Sequence, residues 1–349
     1  MHRLAKHILD YEELLLAASD LCGQFDAILA LALGAERYGW VAPQMTNTNS
    51  LYIENGRHPL QELIVPAFIP NDCELSGGHG EGTTEEREDD ASRATILTGS
   101  NHSGKSIYLK QTAVIVYLAH IGSFVPADKA VVGLTDKILT RISTRECVAR
   151  CESAFAIDLK QVAHAIRCST SRSLLLIDEF GKGTNADDGA GLLAAMLDHF
   201  LGQRSDTPRL LLATHFHELL EGGYLEGLRG LRLAHMNVTA NSSIGQGEKS
   251  ITYLYKLVPG HSGSSFGASC AALNGVPGGI VSRAEAINQL LCQNEDLGST
   301  CGKLSAEEES RLQESEEVAR TFLKSTFTTG GGGSLAMKVV LKGILCPST

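Results

Sequence analysis

The chain has 349 residues, 43% of them hydrophobic and 20% charged, with a formal net charge of −10. That length accommodates about two domains, and the apolar content excludes a wholly disordered chain. The acidic balance argues against a protein that grips nucleic acid unaided, because such proteins present a basic face.

Nine cysteines (22, 73, 147, 151, 168, 270, 292, 301 and 346) are scattered, odd in number and without a C-x-x-C pair. They are expected to be free thiols in a reducing compartment. The N-terminus lacks the charged-then-apolar pattern of a signal peptide. No uninterrupted apolar run reaches the ~18 residues of a membrane span; Ala113 to Gly122 comes nearest, and His120 interrupts it. The expectation is a soluble intracellular protein with no membrane contact.

Residues 4 to 37 read as one helix, with Leu14, Ala18, Leu21, Phe25, Ile28 and Ala32 on one stripe. Such a helix is not stable alone, so it is expected to lie against another element. Pro43 with Asn47, Thr48 and Asn49 marks a linker. Next, LYIENGRHPL reads as a short strand and a turn, and Phe68-Ile69 follows between Pro66 and Pro70. An aromatic there can stack on a purine base or fill the core at a sheet edge. Residues 71 to 93 are rich in glycine and carry eight acids against one arginine over 72–90, the mark of a solvated loop.

Thr95 to Gln111 carries the strongest signal. A β-prone run meets Gly99-Ser100-Asn101-His102-Ser103-Gly104-Lys105-Ser106, and Ile107 opens a helical pattern. This is G-x-x-x-x-G-K-[ST] in the strand–loop–helix setting of a P-loop. Glycines at both ends let the backbone curl, and the following helix offers its positive end to phosphate. Lys105 can reach the β- and γ-phosphates of ATP, and the Ser106 hydroxyl can ligate Mg²⁺.

A β-like run, Lys137 to Ile142, comes next. Ser153 then stands where an N-cap would, ahead of an amphipathic helix reaching about Cys168. Residues 173 to 184 read SLLLIDEFGKGT, in which four apolar residues lead into Asp178-Glu179. Such a run predicts a buried parallel strand that delivers two carboxylates to the edge where open α/β sheets bind ligands. Burying them alone is unfavourable, and Mg²⁺ at Asp178 supplies the missing charge. Glu179 is then placed to orient and deprotonate the attacking water. Leu210 to Ala213 predicts another strand, ending in Thr214-His215-Phe216-His217. His215 can touch the γ-phosphate; His215 and His217 as metal ligands lack further ligands at usable spacing.

Residues 231 to 258 alternate as strands around a polar turn. From Val258 a Gly/Ser loop, a helix, a Gly-Val-Pro-Gly-Gly turn and a second helix follow. With Arg283 its one basic residue, this helix–turn–helix fits packing or dimerisation better than a DNA groove. Residues 295 to 349 are acidic, then glycine-rich, and are expected to be disordered.

Together these residues resemble the ATPase domain of the MutS family of mismatch-repair and recombination proteins. GRHP, PAFIPN, GSNHSGKS, ESAF, LLLIDEFGKGTNADDG, LLATHF and SSFGASCAALNGVP occur in family order across about 50–290. SGKSIYLKQ, GSFVPA and LIDEFGKGTN are most similar to the fifth eukaryotic homologue, the meiotic branch that pairs with the fourth. The resemblance implies an α/β P-loop NTPase of the ABC-ATPase type, with a mostly parallel sheet flanked by helices. It implies the end of a lever-type helical region at 1–49, the ATPase domain at 50–257 with an acidic insertion at 71–93, a helix–turn–helix dimerisation segment at 258–294, and a tail at 295–349.

Residue by residue, it implies that Phe68, with Ile69, stacks on adenine and that Gly99 to Ile107 cradle the phosphates. Lys105, Glu179 and His215 become catalytic, and Ser106 with Asp178 hold Mg²⁺. Ser153 resembles the signature serine that completes a partner's ATP site. It also implies a nuclear heterodimer and DNA contacts made outside this portion. Ser100 replaces a usual proline and Ala154 a usual threonine, and nothing matches the family's mismatch-reading, connector or clamp domains. Other ABC-type ATPases need an LSGGQ-like signature where ESAFAIDLKQ stands. A small-molecule kinase needs a lid and second substrate site. A fragment that binds ATP or a partner without turnover is the non-enzymatic alternative.

Overall fold

The computed structural model describes residues 2–78, 92–142, 153–216, 219–220, 222–225, 227–242, 249–262, 266–293 and 306–324. It divides into two compact units, Met1–Cys270 and Ala271–Thr349.

The first unit is built on a six-stranded sheet. Five of its strands are β4 (Ala94–Thr98), β6 (Ile138–Arg141), β7 (Leu174–Asp178), β8 (Arg209–Ala213) and β9 (Leu231–Ser242), and β10 (Lys249–Pro259) completes it in the order β10-β9-β4-β8-β7-β6. All pairings are parallel except β9 with β10. Every residue of β4, β7 and β8 is buried. That suits strands covered on both faces, where near-continuous Leu/Ile runs replace alternation.

Helix α3 (Lys105–His120) covers one face, with Leu109, Ile115 and Val116 fully buried. The same core takes Leu51, Ile53, Cys73 and Val132 from a second sheet, formed by β1 (Gln44–Thr46), β2 (Ser50–Gly56), β3 (Asn71–Ser76) and β5 (Lys129–Gly133) in the order β1-β5-β2-β3. On the other face α4 (Ala154–Cys168) contributes Val162, and α5 (Ala186–Gly202) contributes Leu193, Leu197 and Phe200.

Register matters most for function. Ala213 pairs with Leu97 on one side and with Asp178 on the other, so β4, β8 and β7 end level with one another. Whatever follows each strand is delivered to the same edge.

Several expectations need correction. Strand β3 occupies the start of the segment read as an acidic loop; Asn71, Cys73 and Leu75 alternate inward and pair it with β2. The acidic run itself, 79–91, lies outside the described residues. The single helix expected over 4–37 is two, α1 (His2–Leu9) and α2 (Glu12–Tyr38), divided at Asp10-Tyr11. Asp10 there accepts a hydrogen bond from His7 Nδ1 at 3.3 Å. The stripe on α2 is not packed: Leu14, Leu21, Phe25 and Ile28 are all exposed, and Ala35 is the buried residue of that helix. The search for an uninterrupted apolar run also passed over α2, which is long and apolar by composition. Its best 18-residue window has a mean hydropathy of 1.6 and passes as long and apolar enough to cross a membrane. Asp20 and Asp26 break the run only when it is required to be continuous.

Beyond the sheet, α6 (Gly267–Leu273) leads from the first unit into the second. In the second unit α7 (Gly278–Cys292) follows a turn whose Pro277 carbonyl accepts from Ile280 at 2.9 Å. There too lies α8 (Ala306–Lys324), within the tail expected to be disordered. Its sequence has neither glycine nor proline and carries Arg320 one turn after Glu316, an i,i+4 pair. Acidity was read as disorder; the residue types are helix formers. The turn 243–248, residues 294–305 and the end 325–349 lie outside the described residues.

Candidate functional site

The loop after β4 folds by its glycines. Gly99 and Gly104 have φ of 134° and 102°, values open to a residue without a Cβ. At Gly99 an added Cβ would meet Ser103 Oγ at 3.1 Å. Inside the loop, Ser103 Oγ donates to the Ser100 carbonyl at 2.8 Å. Lys105 is buried, and its ammonium donates to the carbonyls of Gly99 at 2.7 Å and Ser100 at 2.9 Å. Burial pulls its pKa down to about 8, although Glu179 and Asp178 oppose that shift.

A cavity of about 620 Å³ opens in front of this loop. Asn101 to Tyr108, the loop end and first turn of α3, line one side, so the helix start with its unsatisfied N–H groups faces the cavity. Val65 to Ile69 line another side, with Phe68 half-buried and Ile69 exposed. Phe68 is therefore a cavity wall, and the edge-strand alternative does not hold. Ile107 lines the cavity as well.

At the end of β7, Asp178 is buried and one of its carboxylate oxygens, Oδ1, has no hydrogen-bond partner. Burial raises its pKa, with a hydrogen bond from Ser106 opposing the rise. A serine hydroxyl and a carboxylate in contact, with one oxygen orphaned, form the hard-oxygen donor set that suits a divalent cation.

Glu179 follows with φ of 54°, a left-handed conformation unusual for a residue with a side chain and a pointer to functional constraint. Its N–H donates to Ala213 O at 2.8 Å, and its side chain lines the cavity. His215, just past β8, donates from Nε2 to Glu179 Oε1 at 2.7 Å, and Lys182 Nζ reaches Oε2 at 2.6 Å. The histidine hydrogen bond foremost, with the lysine, holds the carboxyl down at about 2. His215 thus meets the site through Glu179. His217 lies outside the described residues, among which no group of three or more His, Cys, Asp and Glu could hold a metal ion.

Ser153 is the N-cap expected of it: its Oγ accepts from Ala156 N at 3.2 Å, and it is exposed. It does not line the cavity. Sequence reasoning missed two residues that do belong. Lys182 stands three residues beyond Glu179, in the turn after β7. Tyr255 lines the cavity from a β-bulge in β10, with φ of 52° and its ring 3.4 Å from where a Gly104 Cβ would lie. Its positive φ is invisible in an alternating strand pattern. An aromatic at that point was the only signal.

The family model for MutS domain V matches residues 95–292, which include this whole edge of the sheet. The chain belongs to the MutS family. It is 35% identical to MutS protein homolog 5 of Saccharomyces cerevisiae, over 97% of this chain and 39% of that protein. It is 39% identical to the DNA mismatch repair protein MutS of Dehalococcoides mccartyi, over 78% of this chain and 30% of the relative. With the MutS of Lawsonia intracellularis the identity is 34%, over 82% of this chain and 30% of the relative. The chain thus spans well under half the length of these MutS proteins.

Proposed function

We propose that this chain binds ATP with Mg²⁺ and hydrolyses it as the P-loop ATPase part of a MutS-type protein. In this reading its nucleotide state drives a dimeric DNA clamp that serves meiotic recombination on branched DNA in the nucleus. The observation that carries the reading is the level ending of β4, β8 and β7. Lys105 and Glu179 thereby line one cavity, His215 meets it through Glu179 and Asp178 through Ser106, and one buried carboxylate oxygen of Asp178 is left unpartnered.

Each residue has a task. The Gly99–Ser106 loop and the start of α3 receive the phosphates, and Lys105 exchanges its loop carbonyls for β- and γ-oxygens. Ser106 and Asp178 hold the magnesium ion, which when bound neutralises charge on those oxygens. Phe68 and Tyr255 take the adenine between the strap and the bulge. Glu179 at a pKa of about 2 is a weak base while His215 and Lys182 hold it. It orients the attacking water in that state and accepts its proton once His215 or Lys182 shifts.

The exposed Ser153 outside its own chain's cavity supports a site completed in trans, by the helix start of a second MutS homologue. The likeness to MutS protein homolog 5 supports the meiotic branch, in which the fourth homologue is the partner. Residues 50–257 would then be the ATPase domain and 258–294 the dimerisation segment. DNA would be held by parts of the longer protein, mainly through phosphates and shape.

Steady-state ATP hydrolysis, measured for the chain alone and with the fourth homologue, tests this. Turnover is expected in the pair, and Glu179→Gln should lower it about a hundredfold while Mg-ATP binding persists. Turnover unchanged by Glu179→Gln would remove the assignment of the base.

A further inference from the structure

Tyr255 occupies an awkward place. The ladder between β9 and β10 slips between Tyr253 and Leu257, so Tyr255 sits in a bulge that the sheet's own hydrogen bonds do not fix. Its left-handed φ adds strain that something must hold. Across the cavity, the strap bearing Phe68 and Ile69 is irregular chain, without ladder partners of its own.

Asn71 touches both. It is buried at the start of β3, directly after the strap. Its Nδ2 donates to the Tyr255 carbonyl at 2.8 Å and to the Ile69 carbonyl at 3.3 Å, while its Oδ1 accepts from Leu257 N at 2.7 Å. Reversing the amide would set oxygen against two carbonyls and NH₂ against an N–H, so the orientation is determined. A further tie, Lys256 Nζ to the Pro70 carbonyl at 2.9 Å, joins the same two segments.

We infer that Asn71 is a positioning residue for base recognition: its one amide sets the gap between the Phe68 strap and the Tyr255 bulge, and so the fit of the adenine ring. The inference rests on the nucleotide reading above. The side-chain hydrogen bonds of Asn71 go to Ile69, Tyr255 and Leu257 and not to the Gly99–Ser106 loop or Asp178, so its contribution is expected on the base side of the cavity.

The test compares two probes, Mg-ATP and Mg-tripolyphosphate, which share the triphosphate chain and differ in the adenosine. Affinities are measured by calorimetry on the whole chain, for the unaltered protein, Asn71→Ala and Asn71→Asp. Asn71→Asp retains the acceptor for Leu257 N–H and loses the donor to Tyr255, which keeps the test available if the alanine variant fails to fold. Both variants should lose about tenfold in affinity for Mg-ATP, the scale of one weakened base stack. Affinity for Mg-tripolyphosphate should stay unchanged. Equal losses for both probes, or no loss for either, overturn the role of Asn71 and leave the nucleotide site standing. An unaltered chain that binds neither probe overturns the nucleotide reading and this inference together.

Discussion

His215 Nε2 lies 2.7 Å from Oε1 of Glu179, joining the ends of two neighbouring strands through their side chains. That contact is the first cause of the low pKa of Glu179, about 2. A carboxyl whose folded pKa is depressed stabilises the fold above its unfolded pKa of about 4.5, and the gain is lost as pH falls toward 2. His215→Ala is expected to reduce stability by about 1–2 kcal/mol at pH 6, a figure discounted for partial exposure. The difference from the unaltered chain should shrink below pH 4. Urea unfolding at pH 6, 4 and 3 checks this; a pH-independent difference would assign the effect to packing.

Lys105→Ala is expected to abolish stabilisation by Mg-ATP. For a site filled at 100 times its Kd, the unaltered chain should gain about 2.7 kcal/mol and melt about 5 °C higher. The variant should show no shift. An undiminished shift in the variant would place the phosphates elsewhere.

The same lysine predicts a pH dependence. Its pKa of about 8 in the free protein means that the ammonium needed for phosphate is fully present below that value and lost above it. Mg-ATP affinity should be flat from pH 7 to 7.5 and fall above pH 8, approaching tenfold per pH unit. Calorimetry in buffers of different ionisation enthalpy would also register proton uptake on binding at pH 9.

Arg141 and Asp158 form a buried ion pair between β6 and α4, and Arg141 also donates to the Asp178 carbonyl. Removing one partner leaves the other charge buried. Asp158→Ala should therefore cost about 3–5 kcal/mol, whereas the double change Arg141→Met with Asp158→Leu should come close to neutral. Denaturant midpoints of the three chains decide it, and a double change as costly as Asp158→Ala alone would argue against a coupled pair.

DNA is the remaining case. With a net charge of −10 the chain should fail to shift a branched duplex in a low-salt gel at nanomolar concentration. A clear shift under those conditions would move the DNA contact into this portion of the protein.

How much of this could be read beforehand depended on how local the cause was. The Gly99–Ser106 loop was legible because its glycines and lysine act within one turn of chain. Asp178 and His215 were legible because each ends a short all-apolar run, and such runs have few other uses. The pairing of Asn71 with Tyr255 was not, because the two stand 184 residues apart and the bulge between them has no local signature. Strand β3 was hidden for a different reason. Its alternation at Asn71, Cys73 and Leu75 was present, but the glycines and acids beyond it dominated the composition of the window. For α2 the periodicity was plain and the covering element was not, since a stripe says that a face is apolar and nothing about what meets it.

The resting place of Lys105 has a consequence for timing. Its ammonium is seated on the carbonyls of Gly99 and Ser100, so the loop and the lysine brace each other. On the proposed nucleotide reading, a triphosphate would swap one set of oxygens for another around a nearly stationary cation, with little rebuilding of the chain. Capture of the nucleotide should accordingly be quick and readily reversed, leaving any slow, committing step to events beyond the loop, where Glu179 is released or a second chain closes.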